Sequence, residues 1–269
     1  MAEIRKDPIV DRWVIISAER EARPYDFSNS DRPRQKGFCP FCHGSEEKTP
    51  HELLAHRRDG SSPNTPGWTL RVVPNKFPAL TIEGNINPVE QGIYRSMNGV
   101  GAHEVIIDSP DHDLALEQLP QKHIENCFRA FKERILDLKQ DSRFQYTLIF
   151  KNHGKAAGAT LEHSHTQLIA LPIIPELARE ELDGCRRHYE LRRSCVYCDI
   201  IAQDRADGRR IVFENDLFTA LCPFAPRFPF ETWIIPRDHA PIFENHGDQD
   251  FAPLAEVVQK ILLKLRNSL

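Results

Sequence analysis

The feature that most constrains the fold of this chain is a weak internal repeat, which predicts two copies of one strand-containing unit. Each copy begins with a Cys-x-x-Cys pair, continues with a Phe-x-Ala-Leu motif and a strand-like apolar run, and reaches an Asp-His dipeptide. The three motifs that match in the same order, with the apolar run between the last two, indicate duplication. The first copy contains Cys39/Cys42, Phe77–Leu80 and Asp111-His112; the second contains Cys195/Cys198, Phe218–Leu221 and Asp238-His239.

The second copy is shorter than the first. The first extends from Cys39 to an H-x-H-x-Q motif that ends at Gln167, whereas the second stops at Leu269 within a helical pattern and has no such motif. We therefore expect the second copy to be incomplete, either because the chain is a fragment or because a C-terminal piece has been lost.

The apolar pattern predicts a mixture of strands and helices. Helical spacing recurs over Ile124–Leu138 and Leu254–Leu265. The stretch 24–66 is rich in Pro, Gly, Ser and charged residues, so we expect it to be mostly loop. Strand-like runs lie at Trp13–Ser17, Leu70–Val73, Glu104–Ile107, Tyr146–Phe150, Thr166–Leu171 and Trp233–Ile235.

Charge and hydropathy exclude several classes of protein. The formal net charge is −4, so we expect no general affinity for nucleic acid. No apolar run is long enough to cross a membrane, and the N-terminus has no signal-peptide pattern. A cytoplasmic protein is the default interpretation, and in that reducing compartment two Cys-x-x-Cys pairs favour metal binding over disulfides.

The H-x-H-x-Q motif is the strongest indication of chemistry. If it enters a strand, His163, His165 and Gln167 lie on one face and point toward the same place. The preceding loop, 152–162, is rich in Gly and Ala, so its backbone can approach a ligand closely and offer N–H groups to phosphate. Its spacing differs from that of a Walker P-loop.

The first cysteine pair predicts a zinc site. Cys39 and Cys42 supply two thiolates, and a tetrahedral structural site needs two further ligands. His112, which follows a predicted strand, and His163 are the candidates at a distance. His43 is the local competitor, although its position next to Cys42 is sterically awkward.

These residues resemble the galactose-1-phosphate uridylyltransferase family, a duplicated branch of the histidine-triad fold. The resemblance covers nearly the whole chain and is specific in combination. It implies an α+β protein with two histidine-triad-like antiparallel sheets and packed helices, divided into domains at residues 1–176 and 177–269. It rests on Asp11–Ile15 with Arg20, Arg23 and Pro24; Cys39–Cys42; Val73–Leu80; Ser109–His112; Asn152–Gln167; and Pro223–Ala225 with Pro229–Glu231.

The resemblance also implies the chemistry of the site. His165 would attack the α-phosphorus of a nucleoside diphosphate sugar, form a covalent nucleotidyl-histidine and release sugar 1-phosphate, and a second sugar 1-phosphate would then take the nucleotide. A neutral imidazole suits both half-reactions. Gln167 would donate to the phosphoryl oxygens. The implied substrate-binding residues are Arg20, Arg23, Asn75, Phe77, Asn152, Gly158 and Thr160, and the implied zinc ligands are Cys39, Cys42, His112 and His163.

Some positions depart from the best-known family members. Ser164 and Thr166 replace the Pro and Gly that flank the catalytic histidine, and Lys76 replaces an Asp beside the nucleotide. Ser164 and the second cysteine pair also resemble the plant ADP-glucose phosphorylases. That likeness implies a second zinc at Cys195, Cys198 and His239, with a fourth histidine beyond the chain. We prefer this set to the alternative metal position that includes Glu181.

Three functions therefore remain open. The leading one transfers UMP from UDP-glucose to galactose 1-phosphate. The second is an ADP-glucose or dinucleoside phosphorylase, and the third is a non-catalytic, zinc-stapled nucleotide-binding module. Retention of His165, Gln167 and the Gly/Ala loop argues against the third. Exposed strand edges in the incomplete second copy predict a homodimer.

Overall fold

A computed structural model describes residues 2–6, 8, 12–16 and 39–268. The chain divides into two compact units: Met1–Leu114 with Asp137–Ala178, and Ala115–Leu136 with Arg179–Leu269. Within the described ranges there are twelve strands and four α-helices. The strands are β1 (Glu3–Lys6), β2 (Trp13–Ile16), β3 (Leu54–Arg57), β4 (Trp68–Pro74), β5 (Val89–Gln91), β6 (Tyr94–Asn98), β7 (Ala102–Ile107), β8 (Tyr146–Phe150), β9 (His165–Leu171), β10 (Ile211–Glu214), β11 (Phe218–Leu221) and β12 (Trp233–Pro236).

The first unit contains an antiparallel five-stranded sheet of order β3-β4-β7-β9-β8. Its central strand β7 is buried along its whole length and reads as a continuous run of Ala, Val and Ile broken by His103 and Glu104. A strand enclosed on both faces lacks the apolar/polar alternation of a half-exposed one, which explains this pattern.

The register of β7 and β9 sets the position of the functional motif. His165 lies opposite Ile107, and Gln167 lies opposite Val105. Val105 and Ile107 form a buried cluster with Trp68 and Val73, against which Phe41 and Ala55 pack. Burying each large apolar side chain contributes roughly 1.5–3 kcal/mol. The face of the sheet that carries His165 and Gln167 is therefore held by a packed core.

A second sheet of order β2-β1-β6-β5 completes this unit. Ile4 of β1 packs with Leu80 and Leu171, so this sheet covers the far end of β9. The sequence patterns predicted β2 but missed β1, β5 and β6. They also missed β3, which lies inside the stretch expected to be loop.

The second unit contains an antiparallel sheet of order β10-β11-β12. Phe218 and Ala220 of β11 pack against Val257 and Ile261 of the last helix. The Phe-x-Ala-Leu motif forms strand β11 here, but in the first unit it lies in the loop after β4. The helices are α1 (Gln121–Leu138), α2 (Glu176–Arg192), α3 (Val196–Asp207) and α4 (Phe251–Ser268).

The expected α+β fold with antiparallel sheets and helices is confirmed. The two predicted helical segments correspond to α1 and α4, with ends that differ by at most three residues. The predicted strands at Trp13, Leu70, Glu104, Tyr146, Thr166 and Trp233 are all present, with ends that differ by at most two residues. No helix in the described ranges is long and apolar enough to cross a membrane.

Candidate active site and metal centres

Cys39, Cys42, His112 and His163 come together in the first unit, with their ligand atoms all within 4.8 Å of one another. The Cys42 Sγ lies 3.4 Å from His112 Nδ1 and 3.6 Å from His163 Nδ1, and the Cys39 Sγ lies 3.7 Å from His163 Nδ1. Tetrahedral zinc with ordinary Zn–S and Zn–N bond lengths separates sulfur and nitrogen ligands by roughly 3.6 Å. The four side chains therefore fit a tetrahedral metal ion.

The surroundings of His163 favour its role as a ligand. Its ring is fully buried, and Nε2 donates to the Ser109 carbonyl oxygen at 2.7 Å. That hydrogen bond leaves the lone pair on Nδ1, the nitrogen that faces the thiols. Burial lowers the pKa of His163, which keeps the ring neutral. His43, the competing candidate, lies outside this cluster and accepts a hydrogen bond from the Gly67 N–H at 2.7 Å.

The two thiols of the cluster lie in a partly buried position. Burial, with the neighbouring Cys39, raises the pKa of Cys42 to about 11. In the absence of a cation this thiol is protonated at neutral pH. A metal ion that binds here therefore displaces a proton, so its affinity rises with pH.

His165 begins strand β9 and is 8% exposed. Its Nδ1 lies 2.8 Å from the His163 carbonyl oxygen. The carbonyl can only accept, so Nδ1 carries the proton and Nε2 keeps its lone pair. Burial lowers the pKa of His165, and the positive charge of Lys151 lowers it further. The ring is thus a neutral imidazole with a defined nucleophilic nitrogen.

Phe41 connects the cysteine pair to His165. It lies between the two cysteines in sequence, and its ring makes edge contacts with the rings of His165 and His163, at centroid distances of 5.3 and 6.2 Å. Such contacts contribute about 0.5–1.5 kcal/mol. Phe41 has no separately predicted role, because nothing in the Cys-Pro-Phe-Cys motif indicates which ring the phenylalanine contacts.

A buried ion pair holds the backbone on both sides of His165. Asp108 is fully buried and accepts hydrogen bonds from Lys151 at 2.6 Å, Ser164 at 2.9 Å and Thr166 at 2.9 Å. The Lys151 Nζ also donates to the Ser164 hydroxyl and the His165 carbonyl oxygen, both at 2.9 Å. Ser164 and Thr166, which depart from the Pro and Gly of the best-known relatives, thus have a structural partner. Both departures are visible in the sequence, but the buried carboxylate that the two hydroxyls share is not.

Gln167 lies beyond His165 on the same face of β9, about 7 Å along the strand. Its side-chain oxygen is 3.0 Å from Nε2 of His103 on β7. Asn75 follows β4 and is close to the same ring, with Nδ2 at 3.1 Å from Nε2. The structure therefore brings predicted residues Gln167 and Asn75 together through His103, a residue that the sequence analysis missed.

The loop between β8 and β9 has the backbone that its small residues predict. Gly158 has φ +82°, a left-handed conformation that side chains rarely adopt. The N–H groups of residues 157–159 are hydrogen-bonded to the carbonyl oxygens of Gly154 and Lys155. Donors for a phosphate in this loop must therefore come from other groups. Asn152 is half-buried and Thr160 is exposed at its two ends.

A second cluster lies in the second unit and consists of Cys195, Cys198 and His239. The Cys198 Sγ lies 3.4 Å from His239 Nδ1. Glu181 is not among the described residues that gather there. Burial, followed by the neighbouring Cys195, raises the pKa of Cys198. Three ligands leave one coordination position open.

The remaining predicted residues differ in how far the structure describes them. Phe77 is half-buried, and its N–H donates to the Asn75 side-chain oxygen at 2.9 Å. Arg20 and Arg23 lie outside the described residues.

An antiparallel sheet that presents H-x-H-x-Q beside a Cys/His cluster places this protein among the nucleotidyltransferases. The model of the galactose-1-phosphate uridyl transferase N-terminal domain matches residues 1–175. The chain is 36% identical to ADP-glucose phosphorylase of Arabidopsis thaliana over 99% of its own length and 75% of that protein. It is 32% identical to galactose-1-phosphate uridylyltransferase of Thermotoga maritima, over 96% of this chain and 74% of that protein.

Solved structures agree with these relatives. A uridylyltransferase structure superposes with a TM-score of 0.78 at 28% identity, covering 96% of this chain and 73% of the other. The structure of Arabidopsis thaliana ADP-glucose phosphorylase with bound ADP-glucose superposes with a TM-score of 0.73 at 32% identity, covering 100% of this chain and 79% of the other. The chain belongs to the galactose-1-phosphate uridylyltransferase family, as its motifs predicted, and spans about three quarters of the length of these relatives.

Proposed function

We propose that this protein transfers UMP from UDP-glucose to galactose 1-phosphate through a covalent nucleotidyl group on His165. The observation that carries the proposal is the 2.8 Å hydrogen bond from His165 Nδ1 to the His163 carbonyl. It fixes the tautomer in which Nε2 is the nucleophile, on the same face of β9 as an amide donor, Gln167. Family membership supports the same chemistry.

In the first half-reaction the Nε2 lone pair forms a bond to the α-phosphorus. The bond from that phosphorus to the bridging oxygen breaks, and its electron pair leaves on glucose 1-phosphate. The ring keeps its Nδ1 proton and becomes a positively charged nucleotidyl-imidazolium, which the His163 carbonyl stabilises. In the second half-reaction a phosphate oxygen of galactose 1-phosphate attacks the same phosphorus, the P–N bond breaks, and neutral His165 returns.

The other residues of the site orient the substrate and the nucleophile. We propose that Gln167 donates to the phosphoryl oxygens, where negative charge gathers in the transition state. We assign Arg20, Arg23, Asn75, Phe77, Asn152, Gly158 and Thr160 to binding of the nucleotide sugar.

We propose zinc as the ion at both clusters. Cys39, Cys42, His112 and His163 form a complete tetrahedral set, so an ion there serves as a structural staple for the strand that carries His165. Cys195, Cys198 and His239 would hold a second, weaker ion.

A second candidate function is adenylyl transfer from ADP-glucose to inorganic phosphate, which yields ADP and glucose 1-phosphate. The 36% identity to a phosphorylase of that type favours it, as does Ser164 beside the nucleophile. The nucleophile and the covalent intermediate are the same in both reactions, so the candidates differ in base and acceptor.

Isotope exchange tests the proposal. Labelled glucose 1-phosphate should enter UDP-glucose in the absence of any second acceptor, because the covalent enzyme can transfer UMP back to it. The His165→Asn variant should show no exchange. Exchange that occurs with ADP-glucose and not with UDP-glucose would select the second candidate, and exchange that persists in His165→Asn would exclude the mechanism.

Three broader features of this proposal go beyond the site. We propose histidine-triad-like domains at residues 1–176 and 177–269, a homodimer, and a cytoplasmic location. Limited proteolysis and sedimentation test the first two, because cleavage should concentrate near residue 176 and the protein should sediment at twice the mass of one chain.

A further inference from the structure

His103 is a buried polar residue that the mechanism above does not use. It lies on β7, is 7% exposed, and stands opposite Ile169 of β9. In an antiparallel sheet the neighbours two residues along the opposite strand lie on the same face and are within reach of a long side chain. His103 therefore points to the face that carries Gln167 and His165.

The hydrogen bonds of His103 define its tautomer. The Ala79 N–H donates to Nδ1 at 3.0 Å, so Nδ1 carries a lone pair and the neutral ring has its proton on Nε2. Two side chains lie near Nε2: the Gln167 oxygen at 3.0 Å and the Asn75 Nδ2 at 3.1 Å. The Asn75 oxygen already accepts from the Phe77 N–H. Of these two side chains, Gln167 is the one that can accept the Nε2 proton.

This bond fixes the direction of the Gln167 amide. Because the side-chain oxygen receives the proton of His103, the NH₂ group is the end that remains for a substrate. Without such a partner, the amide can rotate by 180° and present its oxygen to a phosphoryl group, which repels it. We propose that His103 is a positioning residue that holds the Gln167 NH₂ toward the α-phosphoryl group bound at His165, an inference that rests on the proposed nucleotidyl transfer.

His103 also joins Gln167 to the segment Asn75–Leu80. The Asn75 N–H donates to the His103 carbonyl at 2.8 Å, and the Ala79 N–H donates to the ring. Both ends of this loop are therefore bonded to one residue, whose other ring nitrogen holds Gln167. The loop assigned to the nucleotide and the donor assigned to its phosphate are thus fixed relative to each other.

The test compares the single-turnover rate at which the nucleotidyl group forms on His165. Gln167→Ala should slow it about 100-fold, as expected for the loss of one transition-state donor. His103→Leu should slow it about tenfold, the cost of ordering a Gln side chain that has lost its partner. His103→Gln, which can place an N–H near the position of Nε2, should stay within about threefold of the wild type.

The double variant separates positioning from a general structural effect. At saturating donor, where a loss of nucleotide affinity through the Ala79 bond does not enter the rate, His103→Leu combined with Gln167→Ala should be no slower than Gln167→Ala alone, because His103 acts on the transferred phosphoryl group through that amide. Multiplied effects, or a His103→Leu rate equal to the wild type, would overturn the inference. A wild type that forms no adduct with UDP-glucose or ADP-glucose would instead refute the proposed function.

Nitrogen-15 NMR of the wild-type protein tests the arrangement without any substitution, and so applies even if His103→Leu does not fold. The His103 signals should show an unprotonated Nδ1 and a protonated Nε2 at neutral pH. The opposite tautomer, or a doubly protonated ring, would overturn the inference whatever the rates.

Discussion

Replacing Asp108 with Asn should destabilise the protein by about 3 kcal/mol, because it removes the central charge of the network around His165. The carboxylate is fully buried and accepts three side-chain hydrogen bonds, from Lys151, Ser164 and Thr166. Removing one partner of a buried ion pair costs about 3–5 kcal/mol. The Lys151 side chain is 19% exposed, so water can solvate part of its charge, and the lower end of that range applies.

The same perturbation should affect the nucleophile. Lys151 donates to the His165 carbonyl, and Asp108 holds the residues on either side. A backbone shift at His165 moves Nε2 out of line with the phosphorus, and a misplacement of about 1 Å can slow an enzyme roughly 100-fold. We expect nucleotidylation of Asp108→Asn to slow by at least about tenfold at temperatures where the variant is folded.

Urea unfolding followed by tryptophan fluorescence measures the stability. Glu214→Gln is the matched control, because its ion pair with Arg205 is about 40% exposed on both sides and should contribute less than about 1 kcal/mol. Asp108→Asn combined with Lys151→Met should recover at least about 1.5 kcal/mol relative to the sum of the single effects, since no unpaired charge remains. A loss of stability no larger than that of the control, or single effects that simply add, would show that Asp108 and Lys151 do not form a stabilising buried pair.

Three further predictions concern the metal clusters and the acid stability of the first unit. Cys42→Ser should remove one zinc per chain and lower the unfolding temperature, whereas His43→Ala should keep the zinc. Plasma mass spectrometry measures the zinc content of both variants, and loss of the zinc from both would contradict the proposed ligand set. Metal analysis should give between one and two zincs per chain, and Cys198→Ser should lower that number while nucleotidylation persists. Loss of nucleotidylation in Cys198→Ser would instead assign the second cluster a catalytic role. Burial raises the pKa of Glu52, but hydrogen bonds from Arg57 and Arg71 outweigh that effect and hold the pKa below its ordinary value. The stabilisation is complete above the unfolded-state pKa of about 4.3 and is lost as pH falls through the folded-state pKa. Glu52→Gln should therefore lose less stability than the wild type between about pH 5 and pH 3. Equal losses of the free energy of unfolding, measured with urea, would contradict this role of Glu52.

The fold was predictable where the apolar pattern was strong and local. The end of strand β7, Val105–Ile107, is an uninterrupted apolar run, as a strand buried on both faces requires. The helices that contain Phe131 and Ile261 repeat apolar residues at helical spacing. Strand β3 was missed because it contains His56 and Arg57 and follows a Pro-rich segment, and its place in the sheet depends on pairing with β4. Strands β5 and β6 form an exposed hairpin, whose residues carry no burial pattern.

The site was predictable where one motif brought its own chemistry. The spacing of Cys39 and Cys42 predicted a metal cluster but left the choice between His112 and His43 open. The structure places His112 in the cluster and His43 outside it. The roles of His103 and Asp108 could not be read from the sequence, because each depends on a partner more than fifty residues away, Gln167 for His103 and Ser164 for Asp108. Such partners become neighbours only through the register of β7 and β9.

The central claim is that His165 carries the nucleotide during turnover. Intact-mass spectrometry of the protein after incubation with UDP-glucose, followed by peptide mapping, tests it most directly, with ADP-glucose as the parallel donor and His165→Asn as the control. We expect a uridylyl group on the peptide that contains His165, its removal by galactose 1-phosphate, and no adduct in His165→Asn. An adduct on another residue, or none from either donor while the wild type turns over, would contradict it.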